Sequence, residues 1–217
     1  MPKVKNAPER RTYSFEIRAM QDGNVGILTG RPIVYNSRTD LGYFDEVIER
    51  GALDKTDLTD VRFLVNHDTR MIPLARSRRN NNGTNTMQFS IDENGMLLDW
   101  VKLDIENNAD ARALYSAVER GDISSMSFMF TINGERWEDM ESDHPTRFIT
   151  DIGAVFEVSA VTFPAYEDTS ISARGENAPE GALAVLERAK LAFKPVDTGD
   201  KNELEMLKIK TTLLGGF

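Results

Sequence analysis

The chain predicts a mainly β fold with a few helices (α+β), and three observations carry that reading. Two-residue alternation of apolar and polar side chains recurs in short stretches from Tyr13 to Phe163. One stretch, 108–120, carries instead the period of an amphipathic helix. At 217 residues, with 40% hydrophobic and 28% charged, the chain is long enough to bury a core as one domain.

Residues 1–12 read as a disordered N-terminus: they carry positive charge with no apolar run behind it, so they do not form a secretory signal. Tyr13-Ser-Phe-Glu-Ile-Arg-Ala alternates and predicts a first strand. Val25 to Tyr35 predicts a second, bent at Gly26 and Gly30 and placed at a sheet edge by Pro32. A polar loop over 36–42 leads to Phe44-Asp-Glu-Val-Ile-Glu-Arg-Gly-Ala-Leu, a short strand broken at Gly51. Val61-Arg-Phe-Leu-Val is a strand that delivers Asn66-His67-Asp68 into a loop. A basic, Asn-rich connection over 76–85 lacks the interleaved aromatics of a nucleic-acid arm. Thr86 to Ile91 and Met96 to Leu103 flank Asp92-Glu-Asn-Gly95 as a hairpin.

The helix over 108–120 has a capping Asn108, one face of Ala111, Leu114, Tyr115 and Val118, and a stop at Gly121. It feeds the stretch Gly121-Asp-Ile-Ser-Ser-Met-Ser-Phe-Met-Phe. There a period of two sets Met126, Phe128 and Phe130 on one strand face, with Ile123, Ser125, Ser127 and Met129 on the other. An acidic loop around 137–144 precedes a return strand, 148–163, ended by Pro164, and 169–173 offers a last short strand. From Gly175 the character changes. Residues 13–175 form the expected domain, and 176–217 a linker and helical tail with helix candidates at 182–193 and 203–214.

Composition excludes several functions. A net charge of −9 without a dense Lys/Arg stripe argues against nucleic acid as a partner. No stretch approaches the ~18 apolar residues of a membrane span. The absence of cysteine removes disulfides, thiolate zinc sites and cysteine nucleophiles, and suits a cytosolic setting. With His67 and His144 the only histidines, a His-rich metal site is excluded as well.

Three positions offer chemistry. Ser127 sits mid-strand, as a small filler or as a nucleophile on a rigid element. His67 leaves a strand for a loop, as a surface residue or as a presented base. Glu157 is the sole ionisable group in Ile152-Gly-Ala-Val-Phe-Glu-Val-Ser-Ala-Val-Thr-Phe, and must be solvated on an outer face or paired. Acyl transfer uses all three types. A serine hydroxyl attacks once an imidazole takes its proton, and a carboxylate holds the imidazole in the correct tautomer.

Four ordered segments resemble the HK97-type prohead (capsid maturation) proteases of tailed phages. Phe44-Asp-Glu-Val-Ile-Glu-Arg-Gly-Ala-Leu is similar to that family's Phe-x-Glu-x-Ile-x-x-Gly-Ala-Phe. Asn66-His67-Asp68 with Pro73-Leu74 resembles its His-Asp…Pro-Leu-Gly, whose histidine is catalytic. The serine strand resembles Gly-x-(Ile/Leu)-x-Gly-(Met/Leu)-Ser-x-Gly-Phe, and Glu157-Val-Ser-Ala-Val-Thr-Phe-Pro-Ala resembles Glu-Val-Ser-Leu-Val-Thr-Phe-Pro-Ala. The resemblance spans roughly 13–174 and implies catalytic His67, Ser127 and Glu157. Ser125, on the same face as Ser127, is the competing nucleophile. Ser125 and Met129 stand where the family has glycine, and Ala75 replaces the glycine after Pro-Leu; glycine there lets backbone amides approach an oxyanion.

The resemblance further implies a fold of the herpesvirus-assemblin type, a small closed β-barrel flanked by helices. In assemblins a second histidine is the third member; His144, in Glu141-Ser-Asp-His-Pro, reads instead as a solvated turn residue. The implied function is a serine endopeptidase that processes scaffold, or the scaffold-like N-terminal segment of the major capsid protein, and then itself. Its setting is the assembling prohead in the host cytoplasm. The implied partners are those two proteins, with a homo-oligomer as a further option; no cofactor, nucleic acid or membrane is involved. Two other readings stay open: a catalytically silent assembly protein that binds capsid or scaffold, and an unrelated serine esterase. The esterase lacks the Gly-x-Ser-x-Gly elbow.

Overall fold

A computed structural model describes residues 8–13, 17–78, 85–162 and 181–193. The elements in chain order are β1 (Glu9–Tyr13), β2 (Ile17–Asp22), β3 (Val25–Val34), β4 (Arg38–Asp40), β5 (Asp45–Ile48), β6 (Asp60–Val65), β7 (Ala75–Arg78), β8 (Met87–Asp92), β9 (Gly95–Asp104), α1 (Ala109–Glu119), β10 (Ser125–Glu138), β11 (Thr146–Val161) and α2 (Ala182–Phe193).

The fold is mainly β, as the alternation predicts, but among the described residues the strands form two sheets and no closed barrel. One sheet runs β1-β10-β11-β5-β4, with β6 on the same edge of β11 further along and β7 beyond it; the other runs β2-β3-β9-β8. Where closure would pass from β7 to β8, the joins among the described residues come from Asn85, whose side-chain oxygen accepts from Arg78 N at 2.8 Å, and from Thr86. Thr86 N–H donates to Arg76 O at 3.1 Å, and its hydroxyl accepts from Arg76 N at 2.9 Å. A ladder needs successive backbone pairs, and among the described residues this Thr86–Arg76 bond is the one backbone pair between the two segments.

Both sheets pack on a common core that joins Leu28, Met96, Leu98 and Leu103 of one to Phe63, Phe128, Phe130 and Ile152 of the other. The apolar face predicted for the serine strand, Met126, Phe128 and Phe130, is fully buried in it. Helix α1 begins at Asn108, whose side chain accepts from Asp110 N and Ala111 N, and buries the predicted four residues. A Cβ on Gly26 of β3 would come within 2.6 Å of the Tyr115 ring, so this glycine is what lets the helix close onto the strand.

Pro32 does not mark an edge. Strand β3 lies between β2 and β9, and a register shift between Gly30 and Ile33 takes the proline out of the ladder, where its missing N–H costs nothing. The first strand begins earlier than the alternation suggests. Glu9–Tyr13 pairs with β10 as β1, and Ile17–Asp22 is a separate strand in the other sheet. Helix α2 rests on a second, smaller cluster, with Ala182 and Leu186 against Leu41, Phe44 and Met140. The expected elements at 169–173 and 203–214 lie outside the described residues.

Candidate active site

Strands β10, β11 and β6 are neighbours, and their register aligns Ser127 with Ser159 and Ser159 with Leu64. Two residues along, Met129, Glu157 and Arg62 align in the same way. Because the side-chain period is two, Ser127, Ser159, Glu157 and Leu64 share one face of the sheet. That face lies opposite the one that buries Phe128. Strand β6 ends at Val65, and the chain turns back over this face.

The turn is made by two consecutive non-glycine residues in the left-handed region, Asn66 at φ 52° and His67 at φ 58°. Such backbone costs free energy and persists where neighbours over-determine it. Here they do. Asn66 N–H donates to Ala160 O at 2.9 Å; its side chain accepts from Thr162 N at 2.9 Å and donates to Thr162 Oγ1 at 3.0 Å. His67 N–H donates to Ser159 Oγ at 3.1 Å.

Held in this way, the imidazole bridges two of the candidate residues. His67 Nδ1 lies 2.5 Å from Glu157 Oε1, and Nε2 lies 2.6 Å from Ser127 Oγ. Glu157 and Ser127 are buried, and the His67 side chain keeps 12% of its surface exposed. The second carboxylate oxygen of Glu157 accepts from Ser159 Oγ at 2.5 Å, so neither oxygen of this buried anion lacks a donor. The solvated outer-face alternative for Glu157 is therefore not what the fold realises.

The structure thus brings together the three residues that the resemblance implies and leaves the other candidates apart. Ser125 faces the same way but lies opposite Val161, and among the described residues no hydrogen bond joins it to His67. His144 is exposed and pairs with Asp45 at 3.1 Å and Asp40 at 3.5 Å. Those three side chains are close enough to hold a cation, but Arg38 already occupies Asp45 at 2.7 Å.

Two participants escape sequence reading. Ser159 is one; a small polar residue two positions from Glu157 signals shared facing, but nothing marks it as the donor to Glu157 and the acceptor of the His67 N–H. The main chain of β1 is the other. Ser127 Oγ donates to Arg11 O at 2.7 Å. Arg11 is fixed by a buried ion network: it binds Glu46 through Nε at 2.5 Å and Nη2 at 2.8 Å. Arg147 joins Glu46 at 3.1 Å and Glu9 at 2.9 Å. Burial works to raise the Glu9 carboxyl pKa, but the Arg147 hydrogen bond and the charges of Arg11 and Arg147 outweigh it and hold it low. Burial likewise works against the Arg147 charge, and the surrounding Glu9, Glu46 and Glu135 carboxylates override it, raising its pKa.

A family model described as caudovirus prohead serine protease matches residues 13–181. The chain belongs to that family. Comparison with curated proteins and with solved structures returns no match. Membership of the prohead protease family makes the chain a serine peptidase of the capsid maturation type, and so places phage capsid or scaffold proteins among its partners. No helix among the described residues is long and apolar enough to cross a membrane.

Proposed function

We propose that the chain is a serine endopeptidase in which Ser127 is the nucleophile, His67 the general base and Glu157 the residue that orients it. The continuous line Ser127 Oγ, His67 Nε2, His67 Nδ1, Glu157 Oε1, with links of 2.6 and 2.5 Å, carries this reading. With Glu157 accepting from Nδ1–H, Nε2 is left with its lone pair toward the hydroxyl. As Oγ attacks a peptide carbonyl, its proton passes to Nε2, and the imidazolium formed is stabilised by the buried carboxylate. The same proton then goes to the leaving amine, and water repeats the cycle on the acyl-enzyme. No metal or organic cofactor enters these steps.

The substrates are the scaffold protein, or the scaffold-like N-terminal segment of the major capsid protein, inside the assembling prohead in the host cytoplasm. The enzyme also cuts itself. Support for this comes from the family, whose members act in prohead maturation.

One observation favours a second reading, the silent assembly protein. Ser127 is fully buried and its hydroxyl bonds to Arg11 O. One hydroxyl proton serves one acceptor at a time, so a proton on Arg11 O is not on its way to His67. Intact-mass analysis of the major capsid protein co-expressed with this chain separates the two. The peptidase gives a defined N-terminal truncation with the wild type that is absent with Ser127→Ala. The assembly protein gives normal shells with no truncation in either case.

A further inference from the structure

The connection 66–74 between β6 and β7 stands as a ridge on the face that carries Ser127, with a groove on each side. The larger groove, about 440 Å³, is walled by Leu64, Met71, Leu74, Leu114, Ala117 and Ile123. The smaller, about 310 Å³, is walled by Met71, Pro73, Met129 and Glu157 among others. Met71 belongs to both.

Three observations tie these grooves to catalysis. Asn66 and Asp68, the neighbours of His67, line the larger groove, and Glu157 lines the smaller, so both grooves border the candidate site. Their lining residues also bracket the nucleophile in the chain: Met129 lies on β10 one side-chain repeat beyond Ser127, roughly 7 Å, and Ile123 lies in the connection that leads into β10. An extended peptide laid over Ser127 presents alternate side chains to either flank. Finally, the ridge exposes apolar surface where a peptide would lie: Met71 is 52% and Ile72 84% exposed.

The chemistry of the larger groove selects an apolar occupant. Its walls are aliphatic, and its two carboxylates are already offset. Both oxygens of Asp68 are held by Arg70, at 3.0 and 3.1 Å. Asp110 sits in the first turn of α1, where the positive end of the helix meets its charge. A lysine or arginine entering the groove would find no buried carboxylate.

We propose that the larger groove is a specificity subsite that receives a large apolar side chain of an extended peptide substrate, a few residues from the scissile bond. This rests on the reading of Ser127 as nucleophile, and the test separates the two. Peptide mixtures carrying leucine or alanine at each position in turn are cleaved with the full chain, wild type against Ala113→Trp. Ala113 is an exposed residue of α1 that lines the groove, so tryptophan there fills it.

The readout is the ratio of kcat/KM for leucine over alanine, which cancels any loss of folded enzyme. The wild type should prefer leucine by tenfold or more at one position, and Ala113→Trp should reduce that preference by about tenfold. Met71→Ala, on the ridge, should relax it as well. Cleavage without a leucine preference, or a preference untouched by both variants, overturns the subsite and leaves the nucleophile standing. Failure of a small fluorophosphonate to acylate the wild type at Ser127 overturns the nucleophile itself.

Discussion

His67 Nδ1 lies 2.5 Å from Glu157 Oε1, although the two residues are 90 positions apart in the chain. Parallel pairing of β6 with β11 brings them together, since it sets Arg62 beside Glu157 and leaves the end of β6 three residues on. The histidine then returns over the carboxylate through the left-handed turn at Asn66 and His67. Position thus comes from sheet register and direction from the turn.

Removing the nucleophile tests the constellation most directly. Ser127→Ala should lower peptidase turnover by about 10⁴- to 10⁶-fold, and His67→Ala by a similar factor. Thermal unfolding of Ser127→Ala should stay close to the wild type, since alanine fits a buried strand position. Turnover unchanged in Ser127→Ala but abolished in Ser125→Ala would move the nucleophile.

Ser159 donates to Glu157 Oε2 and accepts from His67 N, which on the proposed mechanism makes it a positioning residue. Ser159→Ala should lower kcat by about 10²-fold with little change in KM, the cost of a base misplaced by a fraction of an ångström. Ser159→Thr keeps the hydroxyl and should recover part of the loss. Equal losses in both variants, matched by equal falls in melting temperature, would assign Ser159 a packing role alone.

Glu46 is fully buried between Arg11 and Arg147. Glu46→Ala removes the fully buried acceptor that the two guanidinium groups share and leaves them Glu9, at a cost of about 3 kcal/mol in unfolding free energy. Because Arg11 supplies the carbonyl that Ser127 contacts, activity should fall with it. Urea titration measures the first effect. A loss below 1 kcal/mol would show that the network contributes no net stability.

Arg31 grips Asp92 at the tip of the β8–β9 hairpin through two bonds of 2.6 Å. The hydrogen bond to Arg31 holds the Asp92 carboxyl down to about 2, against burial and with help from the Asn94 and Gly95 amides. A depressed carboxylate stabilises the fold above its unfolded pKa, and the contribution is lost as pH falls through the folded value. Asp92→Asn should therefore be less stable than wild type at neutral pH, and the gap should close as pH drops toward about 2. Denaturation at several pH values checks this; a gap that persists at pH 2 would contradict it.

Local rules made much of this fold legible. Helix α1 has the cap, the apolar face and the glycine stop that its sequence advertises, and β10 buries the face its alternation predicts. What local rules could not supply is pairing. Pro32 reads as an edge residue because a bulge that hides it depends on the β9 partner. Strand β1, Glu9-Arg-Arg-Thr-Tyr, shows no apolar alternation, because its arginine is buried by charge and not by hydrophobicity. Barrel closure follows from the resemblance alone, and the break at Thr86 has no counterpart in composition. The three candidate residues were named together because of ordered family segments; their own spacing in the chain says nothing about proximity.

The ladder that aligns Ser127, Ser159 and Leu64 also sets a timetable. Its central strand is the last of the three to be synthesised, and it is the strand that sets β6 and β10 in register with each other. A nascent chain holds His67 and Ser127 for thirty codons before it reaches Glu157, and two more before Ser159. Domains fold as their segments emerge from the ribosome. The histidine and the serine wait on β11, and the constellation closes only once that strand is in place.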